Sequence, residues 1–379
     1  MHRLRSAVRS QQISRSPWPR RPVSLAAALA LGLSPLACGA EPVVAPPPVA
    51  PAPPPMKAAP VDAGVAEQEK APEPSAEEKK KAEALVRLKA DWAQADADAK
   101  TELERWTPEL RAAAKAVAER RHANLKAALT AVLASKHRGP RNVARDAQRH
   151  PAETLAFFGL TPRQTVLEYG PGEGWYTEIL APIVAAQGKL IVTSTDPNGP
   201  ADQRSTFYGH RFKLFLDKSP EVFGKAEIAL LDGASPRLDL DGKVDLALVM
   251  RGLHGMQNNG KLDAWLAQIH KALKMGGTLG IEQHRAKAGA KVEETSKHGY
   301  LPEAWVIERV EAAGFKFAGK SEVNANPRDT KDYAEGVWTL PPTLTLKEVD
   351  RAKYEAIGES DRMTLKFSKV AKVPSKPKK

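Results

Sequence analysis

The chain has 379 residues, 27% of them charged, and a formal net charge of +12. Its one cysteine, Cys38, excludes an intramolecular disulfide and a cysteine-rich zinc site. The basicity does not point to nucleic acid: six of the surplus positive charges are arginines within 1–37, five are lysines within 369–379, and about one is left for everything between.

Residues 1–37 read as an export leader. Residues 1–22 hold the six arginines and no acid, and 23–37 (VSLAAALALGLSPLA) are apolar and small, too short a run to span a membrane. Cys38 follows Leu36-Ala37 and resembles the lipidated cysteine of the bacterial lipoprotein box, with Pro35 where that box prefers Leu. This resemblance implies a periplasmic protein tied to a membrane through Cys38. Arg20-Arg21 before the apolar run is compatible with twin-arginine export. Residues 38–74, with PVVAPPPVAPAPPP at their centre, cannot bury a core and read as an extended tether.

Residues 75–138 are expected to be helical. Ser75 and Glu78 form a capping box, and Leu85, Leu88 and Trp92 recur at a/d-like spacing along a helix expected from 76 to about 99. Thr107-Pro108 starts a second helix, expected to reach about 135 before Gly139-Pro140 stops it. A spacer, a homo-oligomerisation element and a cap over the next domain are all open readings.

Residues 139–368 are long enough for a single α/β domain, with 369–379 a basic tail. After lead-in helices over 141–159, strands are expected at 165–169, 189–193, 226–231, 244–250, 278–284, 315–323 and 363–368. Helices are expected at 260–274 and 302–313. VDLALVM at 244–250 is an apolar run apart from Asp245 near its start, as in a parallel strand covered on both faces. The alternation predicts a doubly wound, mostly parallel sheet.

The domain is organised around 165–182, TVLEYGPGEGWYTEILAP: a strand, an acid, a glycine-rich turn and a helix. The glycines let backbone N–H groups approach a ligand, and the helix N-terminus favours an anion. A dinucleotide fingerprint needs a third glycine where Trp175 stands, which argues against a nicotinamide oxidoreductase. The observed spacing of Glu168, Gly170, Gly172 and Gly174 resembles motif I of the class I S-adenosylmethionine-dependent methyltransferases. The resemblance implies a seven-stranded sheet whose last strand inserts antiparallel, with S-adenosylmethionine as cofactor. It also implies a loop around the cofactor's methionine part, Glu168 helping to hold the ammonium, and Asp232 near the adenine. Asp196 lies a little beyond the roughly 20 residues expected for a ribose-binding acid and is the candidate for that role, although Asp-Pro-Asn-Gly is turn chemistry in its own right.

A wider set of stretches within 141–367 is similar to a group of exported bacterial proteins described as predicted methyltransferases: RHPAETLAFFG, EQHRA, NANPRDTKDYAEGVWTLPPT and IGESDRMTLKF. Glu173 departs from the glycine expected at that place.

Ligands of such sheets bind beyond the carboxyl ends of the strands. That gathers Glu168, Gly170, Gly172, Gly174, Asp196, Asp232, Arg251, His254, Glu282, His284 and Arg285 around one crevice. His254 or His284 is the candidate base, and Arg251 and Arg285 suit an acidic substrate. Arg145, Arg149 and His150 cluster before Pro151, and 324–343, which carries Trp338, reads as a lid, a binding loop or a surface excursion. No metal-binding spacing is present. The expected function is methyl transfer from S-adenosylmethionine to a small-molecule acceptor. The leader keeps open a second reading, a lipid-anchored, non-catalytic small-molecule binding module on the same scaffold.

Overall fold

The computed structural model describes residues 75–231 and 235–371; the leader, Cys38, the tether, Asp232 and most of the basic tail lie outside the described residues. Among the described residues there are seven strands: β1 (Thr165–Tyr169), β2 (Lys189–Ser194), β3 (Glu227–Leu230), β4 (Val244–Met250), β5 (Leu273–His284), β6 (Phe315–Ser321) and β7 (Arg362–Lys369). They form one sheet in the order β3-β2-β1-β4-β5-β7-β6, parallel except for β7, which runs antiparallel to both β5 and β6. The central strands are apolar on both faces, and helices cover both. On one face the helix Thr177–Val184, in which every residue is buried, packs with Leu155, Phe158, Val166 and Leu248. On the other, Leu262–Ala272 and Glu303–Ala312 pack through Trp265, Leu266, Ile269, Val306 and Val310.

The first helix runs on to Arg105 rather than about 99, and two further boundaries differ from expectation. β5 begins at Leu273, which pairs with Val244 ahead of a register shift, so Gly276-Gly277 lie inside a strand rather than ending a helix. The second N-terminal helix is broken in two, Pro108–Glu119 and Leu125–Leu133. Thr107 caps the first piece by accepting from the Leu110 N–H (3.2 Å), and Asn124 caps the second by accepting from the Ala127 N–H (2.9 Å). The break turns Ala128, Leu129 and Val132 onto the core around the Thr177–Val184 helix.

The first helix, Ala76–Arg105, opens on the expected capping box: the Glu78 N–H donates to Ser75 Oγ (3.2 Å) and the Ser75 N–H to Glu78 Oε2 (2.7 Å). From Glu83 onward the described residues belong to one compact unit. There Leu88 is buried, and Trp92 lies 4.4 Å from the His210 ring and 5.8 Å from Phe207, centroid to centroid. Asp91 pairs with Arg204, and Asp96 with His210 (2.8 Å). The apolar stripe of this helix is thus turned onto the helix Arg204–Asp217 of its own domain.

Candidate active site

Between the carboxyl ends of the strands lies a cavity of about 550 Å3. Its floor is Gly170, Pro171 and Gly172, from the turn after β1. Thr193, Ser194 and Thr195 continue β2 along one wall, and Met250, Arg251, His254 and His284 follow β4 and end β5 on another. Tyr208, Arg211 and Phe212 close the side made by the Arg204–Asp217 helix. Trp338, Pro341 and Pro342 of the long loop form the rim.

Gly170 (φ +64°) and Gly172 (φ +62°) are in the left-handed region, where a side chain is strained, and a Cβ on either would meet no protein atom within 4 Å. That open space is the approach a ligand needs. Gly174 (φ +79°) serves packing instead, because a Cβ there would stand 2.5 Å from Phe215. Glu173 turns aside and pairs with Arg211 at 2.9 Å.

Glu168 does not line the cavity. It is 2% exposed beneath the turn and accepts from Thr177 Oγ1 at 2.7 Å. Burial pushes its carboxyl up from 4.5 to about 7, against the Thr177 hydrogen bond and the charge of Arg251. A raised acid binds its proton more tightly in the folded state, so its contribution to stability is lost as pH rises through about 7. A rise from 4.5 to about 7 corresponds to about 3 kcal/mol. Glu168→Gln, which keeps an acceptor for Thr177, is therefore expected to match the parent near pH 5 and to exceed it in melting temperature increasingly up to pH 8. A difference that does not change with pH would contradict the assignment.

Asp196 also stands outside the cavity lining; its Oδ1 accepts from the Asn198 N–H (3.0 Å), the turn geometry foreseen for Asp-Pro-Asn-Gly. The hydroxyls of Thr193, Ser194 and Thr195 take the wall at that strand end. Asp232 lies outside the described residues. Arg285 points away into a second cavity of about 600 Å3, where Asp361 (2.9 Å), Glu303 (3.0 Å) and Glu322 (2.8 Å) surround its guanidinium.

Arg251, His254 and His284 are brought together. Arg251 has φ +59°, an uncommon conformation for a side-chain-bearing residue, and donates to Glu282 Oε1 at 3.0 Å. The two imidazoles are 5.8 Å apart, and burial lowers the pKa of each, that of His284 strongly. The Gln283 amide donates to Gly299 O (2.8 Å) and to His254 Nδ1 (3.3 Å), which places the neutral imidazole's proton on Nε2 of His254. His284 Nδ1 meets the Ser360 hydroxyl at 2.5 Å; that hydroxyl is able to accept, leaving Nε2 of His284 free as a base.

The ionic network behind the wall is larger than the sequence suggested. Glu282, fully buried, takes Arg251, Arg362 (Nε at 3.2 Å) and the Tyr176 hydroxyl (2.8 Å). Glu359 takes Arg145 (3.0 Å), Arg149 (2.9 Å) and Arg362 (2.5 Å). Glu359, Ser360 and Arg362 were missed because only the antiparallel pairing of His284 with Arg362 carries them to the end of β5. Arg145 and Arg149 carried a signal, two arginines four apart just before a helix-starting proline.

The long loop is a fixed wall. Asn324 Nδ2 donates to Thr154 (2.9 Å) and Thr364 (3.0 Å), and Asp329 accepts from the Tyr300 hydroxyl (3.0 Å) and the Asp361 N–H (2.8 Å). Its one-turn helix Gly336–Thr339 then sets Trp338 5.9 Å from His254.

The sheet order and the single antiparallel β7 make this a class I, Rossmann-like α/β fold. Residues 143–316 match the profile of a family described as a methyltransferase domain. A methyltransferase from Aquifex aeolicus described as SAM dependent is similar at 19% identity, over 62% of this chain and 96% of the other, with a TM-score of 0.40. A putative sarcosine dimethylglycine methyltransferase from Galdieria sulphuraria is similar at 11% identity, over 62% and 88%, with a TM-score of 0.41. The Burkholderia thailandensis 1,6-didemethyltoxoflavin-N1-methyltransferase, solved with its namesake and S-adenosylhomocysteine, is similar at 18% identity, over 61% and 82%, with a TM-score of 0.35. None of the curated proteins compared matches the chain.

The residues present fit the S-adenosylmethionine implied by the glycine motif. The open space over Gly170 and Gly172 accepts a ligand close to the backbone, and the hydroxyl-lined end of β2 and the aromatic side wall offer polar and flat surfaces to the rest of it.

Proposed function

We propose that this domain transfers the methyl group of S-adenosylmethionine to a small-molecule acceptor. The observation that carries the reading is the juxtaposition, in one cavity, of an open glycine floor after β1 with a neutral histidine pair at the ends of β4 and β5. The cofactor, when bound, supplies an electrophilic methyl on a sulfonium, so the protein needs only to align, to exclude water and to take a proton. Gly170 and Gly172 admit the cofactor, the Trp338 rim shields the site, and His284 Nε2 takes the acceptor's proton while His254 Nε2–H orients it. Glu168 acts from below the turn, tying its strand to Thr177 at the start of the next helix.

The test is to incubate the full chain with methyl-labelled S-adenosylmethionine and a small-molecule cell extract. Label is expected in a new compound, with His284→Ala lowering the rate and leaving cofactor binding intact. Cofactor binding without label transfer from any extract would instead identify a binding module. The leader and Cys38 support a further proposal, an exported, lipid-anchored protein; incorporation of a labelled fatty acid that Cys38→Ala abolishes is the expected result.

A further inference from the structure

The charges of the cavity do not balance. Among the described residues, Glu359 serves three guanidinium groups, those of Arg145, Arg149 and Arg362, and Glu282 serves Arg362 and Arg251. Four arginines therefore share two carboxylates. The remaining pair at the rim, Arg211 with Glu173, is neutral by itself. His254 and His284 add no charge, since burial holds both below their ordinary pKa. Glu168 offsets the surplus only in part, being close to half protonated at pH 7.

Such a surplus is costly. Arg149 is only 3% exposed, yet it lines the cavity, lying over the Trp175 ring at 4.9 Å. Both Arg145 and Arg149 reach Glu359 through Nε, and among the described residues no acceptor meets their terminal amino groups. Buried guanidinium groups are ordinarily paired, and a planar fork with its outer donors unused suits a bidentate oxyanion. The cofactor does not supply the missing charge, because its sulfonium and ammonium together outweigh its one carboxylate. The position is also informative: Glu359, which gathers the two arginines, is followed at once by Ser360, which holds His284. An anion seated on the arginines thus lies beside the histidine pair, and its charge would favour the protonated imidazole that a base must become.

We propose that the methyl acceptor is an acid, bearing a carboxylate or a phosphate monoester that docks on the guanidinium groups of Arg145 and Arg149. The proposal rests on the methyl-transfer reading for the word acceptor; the anion site itself does not. Half-exposed Trp338 at the rim makes aromatic acids suitable probes.

The test is calorimetry at low salt on the full chain, first with S-adenosylhomocysteine alone and then, with and without it, using benzoate, phenyl phosphate and neutral benzamide. Benzoate or phenyl phosphate is expected to bind at least about 10-fold more tightly than benzamide, and the better of the two identifies the oxyanion. Arg145→Gln removes a partly exposed side chain with one hydrogen-bonded partner, so the fold survives. It is expected to weaken the anion about 10-fold or more and to leave S-adenosylhomocysteine unchanged. Arg149→Gln should do the same, with its melting temperature reporting any loss of fold. Equal affinity for benzamide and the anions, or anion binding indifferent to Arg145→Gln, overturns the proposal. Failure of S-adenosylhomocysteine to bind overturns the methyl-transfer reading instead, and the arm without it still decides whether the arginines hold an anion.

Discussion

Replacing Glu282 with alanine is expected to destabilise the protein by about 3–5 kcal/mol, the ordinary cost of removing one partner from a buried ion pair. The carboxylate is fully buried and holds Arg251, Arg362 and the Tyr176 hydroxyl together. Its backbone carbonyl also accepts from the Arg251 N–H at 2.6 Å, so the strained residue after β4 is tied to β5 twice. Without the side chain Arg251 loses its carboxylate partner and Arg362 keeps only Glu359, in a region already rich in positive charge. For a domain of this size the loss should lower the melting temperature by about 10 °C. Glu282→Gln keeps the hydrogen-bonding shape and loses only the charge, so it should fall between. A melting temperature for Glu282→Ala within a degree or two of the parent would show that the network contributes little, and the surplus drawn from it would lose its basis.

Gly172→Val is expected to weaken S-adenosylmethionine at least about 100-fold, equivalent to about 2.8 kcal/mol, while the protein stays folded. Two effects combine. The residue has φ +62°, which a β-branched side chain resists, and its Cβ would enter space empty of protein atoms above the cavity floor. The neighbouring packing is not disturbed, since nothing lies within 4 Å of that Cβ. Gly174→Val, by contrast, drives into Phe215 and should show its effect mainly as lost stability. A Gly172→Val protein that binds the cofactor as the parent does would move the site elsewhere.

Much of the fold is legible because the middle of the sheet is buried on both faces. β1 and β4 are mainly apolar runs, charged only at Glu168 and Asp245, with sharp ends, and the glycine turn and Arg251-Gly252 follow them at once. The end of a strand also fixes where the next side chains stand, so Gly170, Gly172, Arg251, His254 and His284 come together as expected. The order of β6 and β7 was implied by the family resemblance; nothing in their residue pattern encodes it. Register is what the pattern leaves out. The pairing of His284 with Arg362 decides that Glu359 and Ser360 enter the cavity wall and that Arg285, one residue past the end of β5, faces Asp361 instead. The helical segment was ambiguous for a similar reason. Leu88 and Trp92 form an apolar stripe whose partner, the Arg204–Asp217 helix, lies more than a hundred residues away in sequence.

The most direct test of the account is a calorimetric titration of S-adenosylmethionine into the full chain. Saturable binding in the micromolar range, lost in Gly172→Val, is the predicted result. Absence of both heat and thermal shift with the parent protein would contradict it, and would mean that this scaffold uses the same cavity for another ligand.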